Sequence, residues 1–248
     1  MSTLQLENIK HPDASGNALE LGADGRLTVT LGINGPLTIN GNWGTSAGSG
    51  LILKSSLTDD NGIIHEQANG TKWFTGQETS NPQDYEFWNY NGSSWFKRFS
   101  ISEEGYTHTP YHPSFSAYNT TLYQPGAGVD AAKPFDTVRY NVGGHFNTSN
   151  YRFTVPISGT YHFTWGGTLQ FTTADGYATS YLRINGTAAG TARIRDSQTS
   201  GGQYYAGAMG SEYHQLSAGD YVEVWCYSQN GGVVFHSNEF VFMGRLVG

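Results

Sequence analysis

The residues that could do chemistry are few and dispersed. Gly44-Thr45-Ser46-Ala47-Gly48 has the spacing of a nucleophile elbow, which needs a strand before the serine and a helix after it. Ser49-Gly50-Leu51-Ile52-Leu53 follows instead, a strand-like run, so the match reads as chance. Gly126-Ala127-Gly128 likewise lacks the strand-to-helix setting of a dinucleotide fingerprint and reads as a turn. Among 8 histidines, His108 and His112 are the closest pair. On an extended segment they stand roughly 13 Å apart, at about 3.3 Å per residue, too far to grip one ion within a single chain. Three copies of one histidine around a symmetry axis would remain a route to a metal. No Ser-His-Asp set or carboxylate pair stands in a supportive context, so no enzyme is expected.

The richest polar stretch is Ala192–Tyr205, ARIRDSQTSGGQYY. It gathers Arg193, Arg195, Asp196, Gln198, Tyr204 and Tyr205 in one loop. Arg and Asp can bond sugar hydroxyls or charged groups, and Tyr offers a stacking face with little rotamer entropy to lose. Arg193, Arg195, Asp196, Tyr204 and Tyr205 are the candidate ligand-binding set. An ordinary hairpin loop or a subunit contact is the alternative reading of the same stretch.

The elements that must position such residues are strands. Charged residues make up only 13% of the chain and aromatics 14%, with 33 glycines, a balance that favours strands and turns over surface helices. No stretch of 12 or more residues keeps a helical period. A net charge of −7 argues against a nucleic-acid partner, and no window approaches a membrane-spanning length. The single Cys226 alternates with Val222 and Val224, so it reads as a small buried hydrophobe outside any disulfide framework.

Taken in order, residues 1–50 carry short apolar pairs such as Leu19/Leu21 and Leu27/Val29 between Asp24-Gly25, Asn34-Gly35 and Asn40-Gly41 turns. They are too lightly hydrophobic to bury a core alone, so a strand-rich stem that orders on association is expected. Residues 51–112 add Trp73, Phe74, Tyr85, Phe87, Trp88, Tyr90, Trp95 and Phe99, enough for a small β subdomain, and end in the stiff linker His108-Thr-Pro110-Tyr-His112-Pro113. Residues 113–248 form the third region. Within it, Gly159-x-Tyr161-x-Phe163-x-Trp165 alternates strictly, setting three rings on one strand face with His162 and Thr164 on the other.

The intervals Phe135, Asn141, Phe146, Phe153 and then Gly159-x-Tyr161-x-Phe163-x-Trp165 resemble the signature of the C1q head domain, in the C1q and tumour-necrosis-factor superfamily of trimeric jelly rolls. Trp165 stands where that family usually has Phe or Tyr. Leu216–Val224 and Phe240–Leu246 are similar to the family's late Gly-Asp strand and last strand. The resemblance implies an all-β chain whose C-terminal part is a ten-stranded jelly-roll sandwich. It implies a homotrimer too, with His162, Thr164, Phe242 and Leu246 aimed at neighbouring subunits. Relatives often hold calcium near the trimer apex. Here only Asp175 and Asp196 are candidates, without the oxygen density a calcium loop needs, so no cofactor is expected beyond that weak possibility.

Segments around Trp73-Phe74-Thr-Gly76, Asp84–Phe87, Arg98–Ser102 and Gly105-Tyr106 are similar to phage tail-fibre and virion-appendage proteins. With no apolar leader resembling a signal peptide, the expectation is a phage structural protein located in the virion. It would attach to other virion proteins through its N-terminal segment and meet a host surface glycan or protein through the head; a capsid fibre or decoration protein is a variant. The alternative is a secreted or surface C1q-like binding module of a cellular organism, for which the sequons at Asn119, Asn147 and Asn185 would matter. A polysaccharide depolymerase is the third reading.

Overall fold

The computed structural model describes residues 8–9, 19–21, 27–29, 61–66, 69–78, 84–172, 176–189, 193–198 and 202–248. The chain divides into two compact units, Met1–Asn61 and Gly62–Gly248. In the first, β1 (Asn8–Ile9), β2 (Leu19–Leu21) and β3 (Leu27–Val29) pair antiparallel in that order. Most of the stem expected over 1–50, including Gly44–Gly48, lies outside the described residues, as does Asp175.

From the boundary onward, β4 (Asn61–Glu66), β5 (Lys72–Gln77), β6 (Tyr85–Tyr90), β7 (Trp95–Ile101) and β8 (Thr107–His108) form a meander in chain order. The β6–β7 turn is tied by Asn91, whose Oδ1 accepts from the amides of Ser93 and Ser94 at 3.0 Å each. That is the local bonding that makes Asn-Gly a turn signal.

The remaining strands are β9 (Ser114–Tyr118), β10 (Val129–Ala132), β11 (Thr137–Val142), β12 (Phe146–Asn147), β13 (Arg152–Thr154) and β14 (Gly159–Phe171). They continue with β15 (Ala178–Ile184), β16 (Thr187–Ala188), β17 (Ile194–Asp196), β18 (Tyr204–Leu216), β19 (Tyr221–Ser228), β20 (Val233–Phe235) and β21 (Val241–Leu246). One sheet runs β11-β9-β21-β14-β18, with β20 beside β14. The other runs β12-β13-β19-β15-β16, with β10 beside β19 and β17 beside β15. The described residues are all-β, as the composition demanded.

Their inner faces meet in one aromatic core. Phe115 stacks on Phe146 and Phe153, with ring centroids 4.8 Å away in each case, and meets Phe242 edge-on at 4.9 Å. Tyr161, Phe163 and Trp165 are fully buried, on the face their alternation predicted. Cys226 is buried among them, and burial raises its thiol pKa well above the usual range.

The signature spacing has direct structural causes. The Asn141 side chain donates to Phe146 O (2.8 Å) and accepts from Phe146 N (3.0 Å), closing the turn between β11 and β12. Gly143 and Gly144 within that turn have φ of 80° and 74°, a region L-residues rarely adopt. Tyr161 donates its hydroxyl to Ile157 O at 2.8 Å, giving the phenol of this otherwise buried ring a partner.

Two glycines that look like punctuation are packing residues. Gly210 lies opposite Trp165 and Gly244 opposite Phe163. A Cβ on Gly210 would meet the Trp165 ring at 2.5 Å, and one on Gly244 would meet Phe163 and Phe115 at 2.6 and 2.7 Å. Both are missing side chains that let a neighbouring ring lie flat.

Candidate functional site

The sheet holding β14 has an outer face opposite the core. Across it run Tyr140, Ser116, Met243, Thr164 and Ser211, register partners on β11, β9, β21, β14 and β18. The next row holds His162, opposite both Tyr213 and Arg245. The His162 ring stacks on Tyr213 at 4.5 Å, and its Nε2 lies 2.6 Å from Ser211 Oγ. Met209 and Tyr213 expose 61% and 64% of their surface, so this face presents large apolar groups.

The same register corrects two of the expected interface residues. Phe242 pairs with Trp165, and Leu246 with Tyr161, both on the core-facing row. Phe242 is wholly buried in its own sandwich, and Leu246 packs partly buried against that core. Strand side chains alternate, so Met243 and Arg245 take the outward positions and a one-residue error in parity inverts the face. His162 and Thr164 do point outward, each partly exposed.

The candidate ligand loop also separates. Arg193 and Arg195 lie at and beside β17, on the outer face of the other sheet, with guanidinium groups 4.2 Å over Tyr181 and 4.0 Å over Tyr177. Tyr204 and Tyr205 begin β18 in the opposite sheet, where Tyr204 packs near Phe171 (5.8 Å) and Tyr205 near His236 (5.7 Å). Asp196 accepts from the Ser197 amide at 2.7 Å. Gln198 is buried and donates to Gly202 O at 2.9 Å. Residues 199–201 lie outside the described set. What joins the two arginines instead is Tyr177, Thr179, Tyr181, Asp130 and Tyr227, residues sequence reasoning passed over. The available signal was the alternation Tyr177-x-Thr179-x-Tyr181-x-Arg183, which marks one face of one strand.

Elsewhere the chemistry is structural. Lys133 is fully buried, its Nζ 5.0–5.5 Å from the rings of Tyr123, Phe135 and Phe240, donating to Pro134 O at 3.1 Å. Burial lowers its pKa to about 8 and raises that of the neighbouring Tyr123 phenol to about 12. His112 Nε2 meets Leu246 O at 2.8 Å, tying the linker to the last strand. Among the described residues no three His, Cys, Asp or Glu side chains gather as a metal site.

Comparison with known proteins bears on the head. A model of the C1q domain matches residues 114–247. Complement C1q tumor necrosis factor-related protein 2 of mouse is 32% identical over 118 residues, covering 46% of this chain and 36% of its own length. The human protein of the same name is also 32% identical over 118 residues, covering 46% and 38%. The chain thus spans less than two fifths of these curated relatives. The globular domain of zebrafish complement 1qA protein aligns with a TM-score of 0.42 and 17% identity over 55% of this chain and 98% of that one.

These findings correct the expected location. The matched relatives are complement C1q tumor necrosis factor-related proteins of mouse and human, cellular organisms, and this overturns the expected virion location. They favour the cellular alternative over a phage fibre, and the resemblance of residues 73–106 to phage appendages gains no support from them. Phe135, Asn141, Phe146, Phe153, Tyr161, Phe163 and Trp165 all lie inside the matched segment, where the structure makes them the ring core and its turn lock, and on that match the chain belongs to the C1q-domain family.

Proposed function

We propose that this chain is a non-enzymatic C1q-type binding module of a cellular organism, acting outside the cell or at its surface as a homotrimer. The observation that carries this reading is the C1q match over 114–247, together with the mouse and human complement C1q tumor necrosis factor-related relatives. Within the proposal, residues 1–50 form a stem, 51–112 a small β subdomain with linker, and 113–248 the head. The outer face of the β14 sheet is the subunit interface, with His162, Thr164, Tyr213 and Met243 at its centre. Exposed Tyr and Met are what interface cores enrich, and a face of half-buried apolar groups gains most from being covered.

Asn119, one of the sequons, is fully buried and donates to Thr121 O and His236 O (2.5 and 3.3 Å), so glycan attachment falls to exposed positions such as Asn147. Light scattering is the test. The expected mass is three times the 27.0 kDa of the chain, with dissociation in Met243→Asp. A folded wild-type monomer at micromolar concentration overturns the reading.

A further inference from the structure

We propose that the cleft on the outer face of the β15–β19 sheet binds an acidic saccharide, gripping its carboxylate through Arg193 and Arg195. This deepens the binding-module reading above, on which it rests for biological role but not for geometry.

One register row crosses four strands: Arg195 on β17 faces Thr179 on β15, Thr179 faces Tyr227 on β19, and Tyr227 faces Asp130 on β10. The row therefore runs from a cation through a hydroxyl and a phenol to a carboxylate. Arg193, over Tyr181, flanks the cationic end, and the rings of Tyr177 and Tyr227 lie 5.4 Å apart at the wall. These residues line a cleft of about 340 Å³. That is the small end of ligand-site volumes, suited to one or two sugar rings rather than a folded partner.

Three features point to this ligand. Arg193 and Arg195 are exposed and, among the described residues, neither is paired with a carboxylate; each guanidinium instead sits over a tyrosine ring, which limits its freedom before a ligand arrives. Thr179 is only 7% exposed, yet its Oγ1 has no hydrogen-bond partner in the structure. That oxygen has no exposed surface of its own, so a ligand hydroxyl completes its unmet bond only as the side chains lying over it shift aside. Asp130, at the far end, is tethered by Arg183, with Nη2 3.6 Å from Oδ2, while Arg183 itself lies 3.7 Å over Trp225. A carboxylate there accepts from sugar hydroxyls and repels a second negative charge. The set thus fits one acidic group flanked by hydroxyls. A neutral sugar would leave both guanidinium groups unmet, and a polyanion or acidic peptide would meet Asp130.

The test titrates the full chain by calorimetry with a glucuronic-acid-terminated disaccharide. The comparators are the same disaccharide with its carboxyl reduced to the alcohol, and a penta-glutamate peptide. Saturable binding of the acidic disaccharide is expected, roughly tenfold weaker after carboxyl reduction and roughly tenfold weaker in Arg193→Gln and in Arg195→Gln. Thr179→Val, which keeps the shape and removes the hydroxyl, should weaken it several-fold without moving the melting temperature downward. No saturable binding, equal binding of the reduced sugar, tighter binding of the peptide, or indifference to the double Arg variant each overturns the proposal. Light scattering on the same samples separates the two readings. A trimer that binds no sugar strikes the cleft alone, whereas a monomer that binds strikes the subunit arrangement and leaves the cleft.

Discussion

In the head, Phe115 lies against Phe146, Phe153 and Phe242, each within 5 Å, and nothing of it reaches solvent. In the five-stranded sheet before it, Trp73 and Trp95 leave 46% and 40% of their surface exposed, and Ile64 leaves 57%. Both regions use the same residue types in the same alternation. They differ in layers: the head closes two sheets over one core, while β4–β8 form a single sheet. Among the described residues, the rings on this single sheet stay about half exposed, so each loses roughly half the area that a sandwich removes. The single sheet even buries a carboxylate. Glu86 is fully enclosed, served by Lys97 and by Trp88 Nε1 at 2.7 Å. Ring count therefore says little about core strength; what faces the ring decides it.

Three measurements break or sharpen that comparison. Phe163→Ala removes a fully buried ring between Phe153 and Phe242, and should destabilise the head by about 3–5 kcal/mol in denaturant melts. A cost under 1 kcal/mol would show a core able to collapse around the gap, unlike a close-packed one.

The second effect is intermediate and pH-dependent. Lys133 has its pKa lowered by burial from 10.5 to about 8, so between those values the unfolded chain holds a proton that the folded chain lacks. Stability should rise with pH across that window; below it the cost of the buried charge is fully present and no longer varies with pH. Lys133→Met should remove the rise and stabilise the protein by about 1–3 kcal/mol at neutral pH, since an apolar chain replaces a buried charge among the Tyr123, Phe135 and Phe240 rings. Melts at pH 7 and 9.5 check this; an unchanged pH slope in the variant would assign the dependence elsewhere.

The smallest effect belongs to the single sheet. Trp73→Ser should cost about 1 kcal/mol, well below Phe163→Ala, because nearly half of that residue is already in water. A loss of several kcal/mol would mean that another surface covers this face in solution, and the contrast between the two regions would fall.

Much of the head was legible along the chain. The 135–165 intervals mark strands, turns and the buried side of β14, because strand alternation and turn chemistry are local and period-bound. Asn141 and the Gly143-Gly144 pair are local in the same sense: they act on backbone within five residues. The candidate site was half legible. Arg193 and Arg195 could be picked for their chemistry, but grouping them with Tyr204 and Tyr205 followed sequence distance, and the two sheets pull these pairs apart.

The sequence by itself determined an all-β chain, the C1q-type spacing and the rings that fill the core, since each follows from composition and short-range periodicity. Only the tertiary structure decided which neighbours those strands received. Pairing of β21 with β14 turned Phe242 inward and Met243 outward, and the packing of rings over β21 and β18 made Gly244 and Gly210 obligatory gaps. Pairing of β17, β15, β19 and β10 set Arg195, Thr179, Tyr227 and Asp130 in one row although they span residues 130 to 227. The physical reason is that sheet hydrogen bonds fix register between segments far apart in the chain. A shift of one residue in that register exchanges the two faces, and nothing in the local pattern records it.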